Sequence, residues 1–505
     1  MTQVADSIKA WTGNHAYIFP FLAFIIPLIV RTIPEILMGP YVLGFDTMGF
    51  YIPNTLVFLH SGGADLTLYL LNGQLFYAIF TSIVAAGGSA IWTLKVIPPL
   101  LLGFLGLSIY AYAKKGLAWS SLKSVFVAVL GTVYFVALRS SWDLLREEFG
   151  FVFLFVVLML LIKQKNSSWK HYALLSLAIG AVVLSQQLVS VIMFGVVIFT
   201  VAYELFRKNF SEAAKVLGVS LPWAIFFVIV YLSGAVQSGF LNVSTTVVSP
   251  LTTWTGFASY QSMLISEGGF FLYCFLPLLP LIVIGICLFG NLQLRSWLIL
   301  SLILLFIPFA SVSPFRWILM LMYPFAFYAT DSLSRLKSIK WKRFHITASR
   351  IAILYLVLST AILSFGFIFM TSENAYFYFN SAKFNSYPNQ IPSSMLQNTL
   401  PVSDCQSTIN ALQWFKENVS SSAILLTHTA FYGWALLTLS ENQVRNYGFG
   451  NPANAATAVA QEGYTQIYLI WWINGQGWYE QPTVASAFHE IYQSGEIAIY
   501  HYAPN

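Results

Sequence analysis

The sequence predicts a polytopic α-helical membrane protein of about eleven spans with a small C-terminal external α/β domain. Three observations carry that prediction. The 505-residue chain is 57% hydrophobic with a mean hydropathy of +0.71, more apolar surface than a soluble protein of this size needs. Its charged residues make up 9% of the chain and gather in connections between long apolar runs. Near Thr371 the composition changes, and Asn, Ser, Gln and Pro become common. The expected division is a membrane domain over 1–370 and an external soluble domain over 371–505.

The first apolar run starts near Ala16 and no small-residue cleavage site follows it, so it reads as a retained first span with a cytoplasmic N-terminus. Further runs of spanning character lie near 90–112, 124–138, 149–162, 172–184, 188–206, 216–233, 270–289, 296–310, 315–330 and 351–370. The run Leu66–Ala86 is interrupted by Asn72, Gly73 and Gln74 and closed by Gly87-Gly88, and reads as a helix lying on the external surface. The distribution of Lys and Arg supports this layout. Lys114, Lys115, Lys123, Lys170, Arg207, Lys208, Lys215 and Arg295 fall inside, with a cluster from Arg335 to Arg350. The segment 233–269 falls outside and contains no Lys or Arg. Counting Leu66–Ala86 as a span would put the basic loops outside. The formal charge of +6 therefore reports orientation, and no nucleic-acid partner is expected. The expected location is an integral protein of a plasma membrane, with the C-terminal domain external.

Cys274 and Cys287 share one apolar run and read as packing residues. Cys405 stands alone in the polar tail, which excludes a disulfide framework there, and no CxxC metal pattern occurs. In the tail, Ala411–Asn418 reads as the end of a helix and Ala423–Thr427 as a buried strand, with further strands at Gln466–Trp471 and Glu496–Tyr502. The aromatic run Tyr376–Phe379 marks the exit from the interface. His428 and His489 lack neighbouring metal ligands in sequence and read as structural or exposed. Glu204 and Asp331 fall on the inner side beside basic clusters and read as solvated charges.

Charge on the outer side is unevenly placed. Before the tail the external cations are Arg31, Arg139, Arg146 and Arg316, with Lys95 at the outer start of the second span. The external carboxylates there are Glu35, Asp46, Asp65, Asp143, Glu147, Glu148 and Glu267. A carboxylate close to a bilayer is costly unless solvated, paired or functional. Asp46 lies in Gly44-Phe45-Asp46-Thr47, where backbone freedom lets a side chain approach a ligand, or where Asp caps an interfacial helix. Arg139…Asp143…Arg146-Glu147-Glu148 is a polar island between two spans. On a helix, Asp143 and Glu147 would share a face and Arg139 would pair with Asp143. Two such carboxylates can hold a divalent cation or divide acid and base roles, and a self-neutralised loop is the alternative. Arg316, in Ser313-Pro314-Phe315-Arg316-Trp317, starts a span on the side where cations are scarce. Its rigid fork suits a phosphate, and snorkelling to headgroups is the alternative. Glu267 closes the uncharged external loop.

These stretches resemble the GT-C membrane glycosyltransferases, especially relatives of the oligosaccharyltransferase catalytic subunit, over most of the chain. Arg31…Glu35…Gly44-Phe45-Asp46-Thr47…Tyr51 looks like the family's first acidic loop, Arg139…Asp143…Glu147-Glu148 like the second, and Phe315-Arg316-Trp317 like its phosphate-holding arginine. The resemblance implies that Asp46, Asp143 and Glu147 are catalytic and that Arg316 and Arg139 hold the donor phosphate. Arg31, Glu35, Tyr51 and Glu148 would support them. It also implies a Mg2+ or Mn2+ ion at Asp46, Asp143 and Glu267. Trp414–Asn418 followed by Ala423–Thr427 is similar to the opening of that family's external domain. The family's WWDYG motif is not matched: the chain reads Thr427-His428-Thr429-Ala430-Phe431-Tyr432-Gly433-Trp434, and Trp471-Trp472 comes later. The implied activity moves a sugar or oligosaccharide from a polyprenyl-(di)phosphate donor to an unknown acceptor on the outer face, with membrane lipids around it. A transporter or flippase of lipid-linked saccharides is the alternative. It should show ionisable groups in mid-span or paired broken helices, whereas these carboxylates cluster at one face.

Overall fold

A computed structural model describes residues 17–60, 75–162, 168–237, 259–306, 314–336, 348–371, 391–474 and 486–503, with positions 374, 375, 378 and 484. Helix α1 (Ile18–Leu37) is apolar throughout except at Thr32 and at Arg31 and Glu35, which are one turn apart. After it a loop leads into a π-helical turn, Thr47–Tyr51, continued by α2 (Ile52–His60). The shorter α3 (Leu75–Ala85) packs on α2, α4 (Ala90–Ala111) and α7 (Leu145–Leu161). It forms the described half of the run expected on the external surface, and residues 66–74 lie outside the described ones. Ser89 caps α4, its hydroxyl accepting from the Trp92 amide at 3.4 Å.

The third apolar run is not one rod. It breaks at Tyr134 into α5 (Ser121–Val133) and α6 (Phe135–Asp143), bent by 58°. The bend swings α6 inward, so all nine of its residues are buried, including Arg139, Ser140, Ser141 and Asp143. A second break, at Leu144, separates α6 from α7. Then follow α8 (Trp169–Ser185), α9 (Gln187–Phe206), α10 (Phe210–Gln237) and a pair bent by 93°, α11 (Tyr260–Phe275) and α12 (Leu279–Leu288). Pro277 sits in that bend, where a ring without N–H cannot continue the ladder. Helices α13 (Leu292–Phe306), α14 (Pro314–Met320), α15 (Met322–Arg335) and α16 (Ala348–Phe369) complete the membrane part.

Each of the eleven expected runs thus falls on a helix or a helix pair. Among the described residues, five helices are long and apolar enough to cross a bilayer alone, and two bent pairs pass the same test together. The protein is an integral membrane protein. Its membrane core is aromatic: Trp297 stacks on Phe151 at 5.7 Å, and Tyr323 and Phe155 close around them. Cys274 packs in this core, but Cys287 is exposed, because it lies on the face of α12 away from Leu281, Ile282 and Gly285, which pack on α15 (Met322–Arg335). Asp331 is a further correction, being buried rather than solvated: Lys123 and Arg335 both pair with it.

The C-terminal domain has a five-stranded sheet in the order β2-β1-β3-β5-β4, formed by β1 (Ile424–His428), β2 (Val444–Gly448), β3 (Ile467–Trp472), β4 (Phe488–Ser494) and β5 (Ile497–Tyr502). The first three are parallel, joined through α18 (Thr429–Thr438) and α19 (Pro452–Gln461), and the last two add antiparallel strands. Helix α17 (Val402–Asn418) packs on β4 and β5. The helix and three strands expected in the tail are all present. His428 is buried at the end of β1, and its Nδ1 accepts from the Ala430 amide at 3.1 Å, capping α18. Burial lowers its pKa to about 4, so it is a neutral structural residue. Most of the aromatic run at 376–379 and the connection 238–258 lie outside the described residues.

One feature of the packing positions the site. Val42, Met48, Tyr51 and Ile52, which flank Asp46, share a single core with Leu400, Phe431, Trp434 and the sheet residues Leu426 and Trp471. The C-terminal domain sits directly on the loop that follows α1. At Gly433 the contact is so close that a Cβ would stand 2.0 Å from the Met48 carbonyl oxygen.

Candidate active site

The loop carrying Asp46 is shaped by Gly44, whose φ of +92° is a conformation other residues rarely adopt. A Cβ there would lie 2.1 Å from the Trp142 carbonyl oxygen, so the loop and the end of α6 touch backbone to backbone. Asp46 stands at the start of the π-helical turn but makes no capping hydrogen bond, which removes the capping alternative. Its carboxylate faces Arg316, with Nη2 and Oδ2 3.9 Å apart. The other arm of that guanidinium donates from Nη1 to Glu147 Oε1 at 3.0 Å. Arg316 therefore bridges two carboxylates that arrive from different elements. Its side chain and that of Asp46 are about one-fifth exposed, at 19% and 21%, while Glu147 is buried.

Arg139 pairs with Asp143 within α6, as the four-residue spacing predicts. Asp143 and Glu147 do not share a continuous helix face, because Leu144 (φ −88°, ψ 48°) breaks the chain between them. The break nevertheless leaves Asp143 close enough for its charge to act on Glu147. Arg146 stacks over the Tyr77 ring at 5.6 Å and lies beside Tyr51 and Asp46. The cluster thus sets Asp46, Asp143 and Glu147 against Arg139, Arg146 and Arg316. Burial, reinforced by Asp143, pushes the Asp46 carboxyl up to about 7 against the opposing pull of Arg316, Arg146 and Arg139. Near neutral pH it can hold or release a proton.

The remaining expected residues lie behind this cluster. Arg31 is fully buried; it donates to Glu35 at 2.8 Å and to the Ser141 carbonyl at 3.2 Å, tying α1 to α6. Lys95 closes the same group, donating to the carbonyls of Glu35 and Tyr41 at 2.7 Å each. Tyr51 packs between Phe76 and Tyr77. Glu148 is 1% exposed, with no hydrogen-bond partner on either carboxylate oxygen, and turns toward Arg31 and Tyr323. Glu267 lies within α11, buried, and among the described residues no neighbouring charge acts on it, so it stands apart from Asp46 and Asp143. Among the described residues no group of three or more His, Cys, Asp or Glu side chains is gathered to hold a metal ion. The set Asp46, Asp143 and Glu267 is not assembled in that way.

Sequence reasoning passed over Arg146, Tyr77 and Lys95 as site residues. Arg146 was readable within the polar island, and Lys95 as a cation at an outer helix end. Tyr77 carried no signal, because its partner Arg146 is distant in sequence.

No protein-family model matches the chain, and no curated protein does. Its fold, however, is similar to solved structures. ArnT from Cupriavidus metallidurans bound to undecaprenyl phosphate aligns over 98% of this chain and 98% of its own at 12% identity, with a TM-score of 0.51. The apo state of ArnT gives the same coverage and identity with a TM-score of 0.50. The mycobacterial arabinofuranosyltransferase AftD aligns over 95% of this chain at 13% identity with a TM-score of 0.52, although the chain spans 40% of AftD's length. An Archaeoglobus fulgidus oligosaccharyltransferase aligns over 92% of this chain and 70% of its own at 12% identity, with a TM-score of 0.47. The chain has the GT-C fold.

Proposed function

We propose that this GT-C chain is a membrane glycosyltransferase, moving a sugar or oligosaccharide from a polyprenyl-(di)phosphate donor to an acceptor at the outer face. The observation that carries the reading is Arg316, held between Asp46 and Glu147 at the start of a span. A polyprenyl-linked donor cannot leave the bilayer, so its phosphate must be met at this depth. That ArnT was solved with undecaprenyl phosphate supports a donor of this class.

In the reaction the bond between the anomeric carbon and the phosphate oxygen breaks as the acceptor oxygen forms the new one. Arg316, by turning from Glu147 toward the donor, neutralises the charge that grows on the leaving phosphate, and Arg139 adds to the same field. Asp46, at the loop and partly exposed, takes the acceptor proton; a pKa near operating pH is what a general base needs. Asp143 keeps that pKa high, and Glu147 holds the arginine fork until donor arrives. If Mg2+ or Mn2+ takes part, Asp46 and Asp143 are the carboxylates that would hold it, and the ion would neutralise phosphate charge.

The test is transfer of a labelled sugar from polyprenyl-phosphate donors by purified protein in liposomes, comparing wild type with Asp46→Asn and Arg316→Ala, with and without EDTA. Loss of transfer in both folded variants is the expected result. Undiminished transfer in Asp46→Asn overturns the site, and saccharide crossing leaflets without product overturns the enzyme.

A further inference from the structure

The two loops of the site come from positions about a hundred residues apart, yet one carbonyl outside both touches each. The Gln397 oxygen accepts from the Gly44 amide at 3.1 Å and from the Trp142 indole Nε1 at 3.1 Å. The same indole N–H also reaches the Met395 oxygen, at 2.9 Å. Gln397 belongs to the segment that enters the external domain, and that segment is fastened on every side. Met395 donates its amide to the Phe367 carbonyl at 2.9 Å, and Gln397 Nε2 donates to the Ser394 carbonyl at 2.8 Å. Asn398 Nδ2 donates to the Val42 carbonyl at 3.0 Å, while its Oδ1 accepts from the Leu400 amide at 2.9 Å. Thr399 Oγ1 donates to the Ala430 carbonyl at 2.7 Å and accepts from Trp434 Nε1 at 3.3 Å. Asn398 and Thr399 are fully buried, and Gln397 nearly so.

We infer that this strap, residues 394–400, is a positioning element that sets Asp46 against Asp143, with Trp142 as the side chain that reads it. Gly44 is two residues from Asp46, and Trp142 immediately precedes Asp143. A shift of the strap therefore moves both carboxylates relative to Arg316. Because Thr399 and Asn398 tie the strap to α18 and to the first loop, the position of the external domain is transmitted to the site by hydrogen bonds rather than by the bilayer helices. An acceptor that seats on the external domain would act on Asp46 along this route, a consequence that rests on the proposed transferase reading. The strap's grip on the loops does not rest on it.

The test uses full-length protein carrying Trp142→Phe, which keeps an aromatic ring and removes the N–H donor, and separately Asn398→Asp, which keeps the acceptor to Leu400 and removes the donor to Val42. Two readouts separate the hypotheses. The first needs no substrate: the pH midpoint at which the Asp46 carboxyl ionises, followed by infrared difference spectroscopy against Asp46→Asn. Asp143, Arg139, Arg146 and Arg316 all face that carboxyl, so a displaced loop changes their fields and moves the midpoint by half a pH unit or more. The second is sugar transfer, where kcat falls tenfold or more with KM for the donor unchanged, since a misplacement of about 1 Å can cost a factor of about a hundred. The double variant should lose no more than the worse single one, because both act on one strap. An unmoved midpoint in both folded variants overturns the inference, as does a fall in melting temperature with kcat per folded molecule unchanged. A moved midpoint with no transfer by wild type keeps the strap and removes the transferase reading.

Discussion

Asp46 should titrate near neutrality, and the titration is readable without a substrate. Its surroundings raise the pKa from 3.8 to about 7. At 1.36 kcal/mol per unit, holding the charge there costs about 4 kcal/mol relative to water, less the screening that solvent brings to a side chain one-fifth exposed. Infrared difference spectra between pH 4 and 9 should show a protonated carboxyl lost with a midpoint near 7 in wild type and absent from Asp46→Asn. Asp143→Asn removes a like charge and leaves Arg139 without its partner, and both changes favour ionised Asp46, so the midpoint falls by about one unit or more. Transfer that needs the ionised form drops about tenfold per pH unit below the midpoint, and its acid limb moves to lower pH in Asp143→Asn. Stability carries the opposite sign. The folded pKa lies above the unfolded one, so the fold holds the proton longer and loses stability as pH rises from about 4 to about 7. Asp46→Asn should therefore raise the melting temperature at pH 8 and leave it unchanged below pH 4. A band that survives Asp46→Asn, or an upward shift in Asp143→Asn, refutes this account of the site.

Other substitutions test separate parts. Gly44→Ala places a Cβ 2.1 Å from the Trp142 carbonyl at a φ of +92°, so a loss of more than about 2 kcal/mol in stability is expected, checked by thermal unfolding in detergent. Lys95→Met strips Glu35 and two main-chain carbonyls of a buried donor and should cost about 3 kcal/mol, with a matching drop in melting temperature. Arg316→Lys keeps a charge but loses the fork that spans Asp46 and Glu147; KM for the donor should rise at least tenfold, measured by titration with polyprenyl-phosphate donor. If Asp46 and Asp143 hold a divalent ion, EDTA should abolish transfer and Mg2+ or Mn2+ should restore it; transfer undiminished by EDTA removes the ion from the reaction.

Much of the fold was legible because a bilayer imposes length and charge rules that a linear sequence displays directly. The apolar runs, a helix within 66–86 and the strands at 424–428 and 497–502 follow from apolar patterning. Kinks at Tyr134 and Leu144 were not legible, since nothing in Thr-Val-Tyr-Phe or Trp-Asp-Leu-Leu marks a break; tertiary contacts such as the Ser364 hydroxyl bonded to the Val133 carbonyl at 2.6 Å stabilise them. In the site, Asp46, Asp143, Glu147, Arg139 and Arg316 stood out because charges are rare in so apolar a chain, and the structure gathers them. Arg146 against Tyr77 and the carbonyl of Gln397 could not be anticipated. A ring contact and a main-chain oxygen leave no mark in a sequence until the fold places them.

The shared core has a consequence for how the molecule is made. Val42, Met48 and Tyr51 are synthesised early, yet the residues they pack against, among them Leu400, Phe431 and Trp434, come far later. Gly44 and its partner Gln397 are 353 positions apart (397 − 44). At roughly 5–20 residues per second, the first loop waits about 20–70 s before its acceptor carbonyl exists. During that time its apolar side chains lie uncovered at the membrane surface, and Asp46 has no fixed position. The site is therefore finished last, and a nascent or truncated chain has helices but no organised cluster. In the meantime folding helpers at the membrane would have to shield that loop.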